Sequence, residues 1–326
     1  QFSSLTSGEN YNEEFQELDL KRFYTDNSAG MVFSWGKFVF TPKAGIIYRE
    51  QLLKSDLIFR ALSGQEQADT SLFKNDMKCT LLKGYLNTNM EYKSGKLSIT
   101  AHLPVAWQTI KIDDVISEQG QDLEKLIVEP RFRFDYKINS FWKFRTSWSY
   151  KNRPGNFDRT YYGYILRNYR YLSKNDAPIA EISGQSISAG ISYRNPITSF
   201  FNSFTYIYSR HRTSLTYQQY VSSNGTSLVT ALELPQVNNF HSFQLYSSKF
   251  LSDIKSTLNL RIYYTLQGGQ SLINEELFDT ENHFYKIKPG LNVRITNWLN
   301  SDYELDASYI QTYVENKDKN NITFLK

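Results

Sequence analysis

The chain has a single cysteine, Cys79, among 326 residues. One cysteine excludes an internal disulfide and a cysteine-built zinc site. Long apolar runs are also missing, since no stretch approaches the roughly 18 consecutive apolar residues that a transmembrane helix needs. Neither sign of charge dominates: 37 Lys and Arg stand against 33 Asp and Glu, for a formal net charge of +4. The basic residues are scattered, which excludes the basic stripe of a nucleic-acid binder. Phosphate-cradling patterns of the GxxxxGK or GxGxxG kind are absent, and Gly268-Gly269 reads as loop punctuation. The four histidines, His102, His211, His241 and His283, lack metal-ligand spacing, so neither a metal nor a cofactor is expected. The first residues, Gln1-Phe-Ser-Ser-Leu-Thr-Ser-Gly, do not read as a signal peptide, and an exported protein is then expected to be mature or a piece of a longer chain.

What the chain has in quantity is aromatic residues, 16% in all, with 24 Tyr and 22 Phe. Mean hydropathy is −0.51, which argues against a membrane helix but not against strands that show lipid only alternate residues. Lys96 to Trp107 has that pattern. Leu97, Ile99, Ala101, Leu103, Val105 and Trp107 alternate with Lys96, Ser98, Thr100, His102, Pro104 and Ala106. Successive strand side chains point to opposite faces, so one face here is apolar and the other largely polar. Pro104 lacks an N–H and predicts a bulge or a missing ladder bond at that point.

The pattern recurs in pairs around short polar turns. Phe132, Phe134 and Tyr136 oppose Arg131, Arg133, Asp135 and Lys137; after Asn139-Ser140, Trp142, Phe144, Trp148 and Tyr150 oppose Lys143, Arg145, Ser147 and Ser149. Two alternating runs about a short turn predict an antiparallel hairpin. Similar turns fall at Trp35-Gly36-Lys37, Lys93-Ser94-Gly95-Lys96, Asn195-Pro196-Ile197-Thr198, Leu251-Ser252-Asp253 and Thr296 to Asn300. The connections between hairpins, residues 52–80, 111–125, 152–184, 221–241 and 267–283, read as long irregular loops. Short turns at one end and long loops at the other, with aromatics near strand ends (Trp35, Phe38, Tyr92, Trp107, Phe141, Trp142, Phe200, Phe201, Trp298), predict an all-β, antiparallel up-and-down transmembrane β-barrel. About twelve strands are visible, with no internal linker, so residues 1–326 are read as one barrel domain. A soluble β-sandwich or propeller shares the alternation but not the strand length or the charged mid-strand positions.

Ile191-Ser-Tyr-Arg-Asn-Pro-Ile-Thr-Ser-Phe-Phe-Asn-Ser-Phe-Thr-Tyr and Leu291-Asn-Val-Arg-Ile-Thr-Asn-Trp-Leu-Asn-Ser-Asp-Tyr-Glu-Leu resemble the barrel region of TonB-dependent receptor-like outer-membrane proteins. The resemblance covers essentially the whole chain and rests on strand style and hairpin turns, not on an invariant motif. It implies the outer membrane of a Gram-negative cell, nutrient uptake through a plugged lumen (a glycan, peptide or chelate), and as partners the lipid bilayer, a plug domain, the TonB system and a surface lipoprotein. Two features depart from the family: nothing in residues 1–30 resembles a plug or TonB-contacting segment, and the family's 22 strands do not fit in this length. The chain is therefore expected to be part of a larger barrel.

The candidate lumen-facing residues are His102, Arg131, Arg133, Asp135, Lys143, Arg145, Lys286, Lys288, Arg294, Asp302, Glu304 and Asp306, which could line a solute path or simply brace the wall by cross-strand pairing. The candidate outer-loop binding residues are Tyr161, Tyr162, Tyr164, Arg167, Tyr169, Arg170 and Tyr171, because aromatic-plus-Arg loops suit glycan or peptide ligands; a strand rising above the membrane is the alternative. Asp113-Asp114 and Glu275-Glu276 read as solvated loop acids, with binding of calcium or a cationic ligand as the alternative. No catalytic residue is nominated. A phospholipase-like site using His241 and Ser242 would need an orienting third group, and no flanking motif supplies one. The chain is expected not to be an enzyme. An envelope scaffold without transport and a porin-like closed barrel remain the alternatives to an uptake receptor.

Overall fold

The computed structural model describes residues 11–61, 66–67, 72–155, 160–168, 170–222, 225–314 and 317–325. Its elements are β1 (Tyr11–Gly30), β2 (Phe33–Trp35), β3 (Phe38–Ala61), β4 (Glu66–Gln67), β5 (Lys74–Ser94), β6 (Leu97–Asp114), β7 (Gln119–Val128), β8 (Arg131–Lys137), β9 (Trp142–Pro154), β10 (Tyr161–Asn168) and β11 (Tyr171–Asn175). They continue with β12 (Glu181–Asn195), β13 (Phe200–Thr213), β14 (Thr216–Val221), β15 (Ser227–Leu232), β16 (Gln236–Leu251), β17 (Ser256–Ile273), β18 (Glu276–Arg294), β19 (Asn300–Glu304), β20 (Ala307–Val314) and β21 (Lys317–Leu325). All are strands of one 21-stranded sheet.

Three apparent strand breaks are single missing hydrogen bonds. Between β1 and β2 the N–H of Met31 still bonds the carbonyl of Pro42; between β7 and β8 that of Glu129 bonds Pro104; between β19 and β20 that of Leu305 bonds Pro289. In each case the proline returns no donor, so one rung is lost while the register continues unshifted across the gap. The expectation at Pro104 is met by a missing bond without a bulge. With those three pairs counted as single staves, the two-residue β4 appended to β3, and β10, β11, β14 and β15 set aside, 21 strands reduce to thirteen staves in an antiparallel meander. Among the described residues no pairing joins β1 to β21, so the sheet is open.

The staves are tilted. Directly paired residues run Phe38, Tyr92, Ile99, Phe134, Thr146, Ala189, Tyr206, Phe243, Tyr264 across the sheet. Phe38 is the first residue of β3 after its tight turn, whereas Tyr264 is the ninth of β17 after its own. The row climbs about one residue per strand, which at about 3.3 Å rise and about 4.8 Å spacing gives a tilt of roughly 35°, as in barrels.

Alternation assigns the faces. Leu97, Ile99, Leu103, Val105 and Trp107 share the outer face with Leu86, Phe132, Phe204 and Leu245, many of them more than a third exposed. Ser98, Thr100 and His102 lie on the inner face with Arg131, Arg133 and Asp135. Further along β3, β5 and β6 the phase inverts. Ile110 and Ile112 in β6, Met77, Cys79 and Leu81 in β5, and Leu53, Leu57 and Phe59 in β3 are buried on the inner face, while Thr109, Lys111, Lys78 and Lys54 point outward. Apolar side chains leave the outer face where lipid ends and move inward where protein covers them.

Three of the expected loops are largely strand: in the first, residues 52–61 continue β3 and residues 74–80 open β5. Residues 111–125 continue β6 to Asp114, turn over 115–118 and return as β7; residues 267–283 continue β17 to Ile273 and return from Glu276 after a turn at Asn274 and Glu275, both at positive φ. The connections 155–180 and 214–235 fold inward as the hairpins β10–β11 and β14–β15. The short turns agree with expectation, with Gly36 and Gly95 at the positive φ that such turns demand.

Leu103→Arg, on the outer face of mid-β6, should destabilise the membrane-folded protein by about 2–4 kcal/mol, while Thr100→Arg on the inner face of the same strand should cost less than about 1 kcal/mol. Urea unfolding in lipid vesicles measures the difference.

Candidate functional site

Every lumen-facing candidate lies on the inner face. Asp135 of β8 sits opposite Arg145 of β9 and gathers three cations: Arg133 Nε at 2.7 Å, Arg145 Nε at 2.8 Å and Lys143 Nζ at 2.9 Å. His102 pairs through Nδ1 with Asn89 and faces Arg131 across the ladder. Far along the sheet, Lys286 Nζ lies 3.0 Å from Asp306, and Lys288 bridges Glu304 at 2.7 Å and Asp306 at 3.2 Å. Asp302 accepts from Asn292, and Arg294 bonds Asn297 in the turn at 3.4 Å. The candidates thus form two separate networks. Asp135 is outnumbered by its cations, whereas the β18–β20 network is balanced.

Above the charged wall lies a second layer that the sequence reading did not find. β10 pairs with β11, β11 runs parallel to β15, β15 pairs with β14, and β14 runs parallel to the end of β17 through Gln218 and Gln219. This four-stranded lid joins the β3–β5 side of the sheet to β17. Its outer edge is held by side-chain amides in place of backbone. The Asn75 amide accepts from Gly163 N–H at 2.7 Å and donates to its carbonyl at 3.2 Å; Gln16 does the same for Leu166 at 2.6 and 3.1 Å. Tyr164 N–H adds a bond to the Leu72 carbonyl at 2.7 Å. Only glycine fits at 163, because a Cβ there would stand 2.3 Å from the Lys74 carbonyl oxygen.

The lid corrects the reading of the Tyr-rich segment as an exposed loop. Tyr161 and Tyr162 are each 5% exposed and pack with Ile165 on Leu53, Met77, Cys79 and Ile110. Burial pushes the Tyr162 phenol up to about 12. Tyr164 rests on Phe73, ring centroids 5.9 Å apart, and Leu172 fills a second core with Leu57 and Phe59. Tyr169 lies outside the described residues. Arg170 uses its backbone to hold β15, its carbonyl accepting from Ser227 N–H at 2.7 Å. Three of the candidates nevertheless meet at one cavity. Tyr161, Arg167 and Tyr171 line a space of about 580 Å³ with Ser173, Lys174 and Tyr217. Arg167 lies 5.3 Å from the Tyr161 ring centre and donates to its hydroxyl at 3.2 Å. The inversion of hydrophobic phase in β3, β5 and β6 is the sequence signal that could have announced this layer.

His241 and Ser242, adjacent in β16, point to opposite faces. His241 pairs with the Tyr206 hydroxyl at 2.9 Å, and Ser242 accepts from Gln244 at 3.3 Å, so the two form no dyad. Asp114 caps its own turn, accepting from Asp76 N–H at 2.8 Å and Ser117 N–H at 2.9 Å, and Glu275 accepts from the Tyr220 hydroxyl at 3.3 Å.

The chain forms a tilted antiparallel wall with an apolar outer band, a charged inner face and tight turns at one end. The fold is that of an outer-membrane β-barrel wall. Among solved structures the chain is similar to the ferric citrate transporter FecA in its unliganded form, with a TM-score of 0.53 and 8% identity over 92% of this chain and 50% of that one. It is also similar to the copper transporter OprC, with a TM-score of 0.58 and 9% identity over 91% of this chain and 49% of that one. The chain therefore spans about half the length of each. No protein-family model and no curated protein matches the sequence.

Asp135→Asn should lower the stability of the folded wall by about 2 kcal/mol, because three cations lose their shared carboxylate. The deficit against the parent, read from urea midpoints, should shrink as salt is raised. Asn75→Ala and Gly163→Ala should each free the β10–β11 hairpin, read as faster proteolysis within residues 155–180 while the heat-dependent gel shift of the wall is retained.

Proposed function

We propose that this chain is the wall of an outer-membrane uptake receptor, lying in the outer membrane with its tight turns toward the periplasm and its lid toward the outside. The observation that carries the reading is the lid itself: a charged, water-accessible inner face is roofed by a sheet tied to two distant parts of the wall, with a cavity of about 580 Å³ in the roof. A porin needs an open mouth. A roofed lumen suits capture outside followed by a gated passage. The two similar structures are both named as transporters, which accords with the reading. Arg167, Tyr171, Tyr217 and Lys174 would contact the cargo at the roof, a nutrient with polar and anionic groups. Partners of this reading are the lipid bilayer, a plug within the lumen, an energy-coupling TonB system and a surface lipoprotein.

Cells lacking the gene should fail to accumulate a cargo that parent cells take up, and a protonophore should reduce uptake by the parent. Steady passive conductance of the purified protein in planar bilayers, with uptake insensitive to the protonophore, would overturn the proposal.

A further inference from the structure

The inner face carries a second feature at its tight-turn end. Lys96, at the foot of β6, is directly opposite Lys137 of β8, and Lys137 is directly opposite Lys143 of β9. Three lysines from three adjacent strands therefore stand side by side in one cross-strand row on one face. The next strand places Ser192 opposite Lys143, with Arg194 two residues further along. Like charges directly opposite one another destabilise a sheet. Elsewhere on this face the chain offsets such pairs with a nearby carboxylate: Lys93, opposite Lys37, pairs with Glu91, and Lys288, opposite Arg261, pairs with Glu304 and Asp306. Here it does so only in part. Lys143 shares Asp135 with Arg133 and Arg145. The Lys96 ammonium donates to the Ile138 carbonyl at 3.1 Å. Among the described residues Lys96, Lys137 and Arg194 make no ion pair with a carboxylate.

These cations also share a space. Lys96, Lys137, Lys143 and Arg194 line a cavity of about 580 Å³ with Phe141 and Ser192, and no carboxylate lines it. The floor is shaped by the β8–β9 turn, where Asn139 Oδ1 accepts from the N–H of Phe141 at 2.9 Å and of Trp142 at 2.8 Å. Of the four cations, Lys143 is held by Asp135, Lys96 by the Ile138 carbonyl, and Arg194 lies 5.9 Å from the Phe201 ring centre; Asn139, Ser140 and Ser192 are the other polar side chains lining the site.

We propose that this row is a binding site for a multivalent oxyanion, bearing phosphate or several carboxylates, at the tight-turn mouth of the lumen. The cationic row costs the empty wall stability, and a bound polyanion removes that cost. The inference rests on the uptake reading only for its direction, since under that reading the site lies where a cargo would leave toward the periplasm.

The test uses the detergent-folded full chain with inorganic pyrophosphate and citrate as probes, in titration calorimetry and thermal unfolding at low salt. Each bound probe should raise the unfolding temperature, and affinity should fall as salt is raised. Lys137→Gln should weaken binding by about tenfold or more, the loss of one charge-assisted contact, and should raise the unfolding temperature of the probe-free protein. Lys137→Arg keeps the charge and should retain binding, and the heat-dependent gel shift confirms that each variant is folded. Binding of only one probe identifies the preferred oxyanion. Absence of binding by the parent, equal binding by Lys137→Gln, or a probe-free Lys137→Gln that is less stable than the parent would overturn the site. Lost binding with intact cellular uptake sinks the site alone; intact binding with no uptake sinks the uptake reading alone.

Discussion

The constraint on which everything else depends is the backbone hydrogen bond in lipid. A strand in the hydrocarbon layer has no water to satisfy its N–H and C=O groups, so each must find a partner in a neighbouring strand. That requirement keeps neighbouring staves paired from β1 to β21, and three prolines stand out where a rung is lost. Pro42, Pro104 and Pro289 each keep an accepting carbonyl in use, and each costs one rung without shifting the register. The wall tolerates a missing donor far better than a slip, because a one-residue slip would turn the lipid face into the lumen face.

The same ladder fixes the electrostatics of the inner face. Register, not sequence proximity, sets Asp135 beside Arg145 and Lys288 beside Asp306. It also sets Lys137 between Lys96 and Lys143. The wall is therefore uneven in charge: balanced along β18–β20, cationic along β8–β9. A solute or partner in the lumen meets that gradient as a property of the pairing.

The lid follows from a different economy. Once the staves rise beyond lipid, their outer face meets water and their inner face must be covered by protein or left wet. Leu53, Leu57, Phe59, Met77, Ile110 and Ile112 turn inward, and β10–β11 is folded onto them. Asn75 and Gln16 bond the edge of β10 with side-chain amides, so a hairpin with a single backbone bond there, Tyr164 N–H to the Leu72 carbonyl, is still tied to the wall.

The tight turns, the alternation of Leu97 to Trp107 and the inward-facing charges of β8, β9 and β18 were legible in the sequence, because each is a local pattern of period two closed by a local turn. The expected loops at 111–125 and 267–283 were misjudged for a physical reason: above lipid the outer face becomes polar, and a strand polar outside with Ile110 and Ile112 inside does not look like its own lower half. The lid, the cavity of Tyr161, Arg167 and Tyr171, and the row of Lys96, Lys137 and Lys143 belong to the tertiary structure alone. They join residues that are distant in the chain, and only the tilt and register of the assembled sheet decide which of them meet.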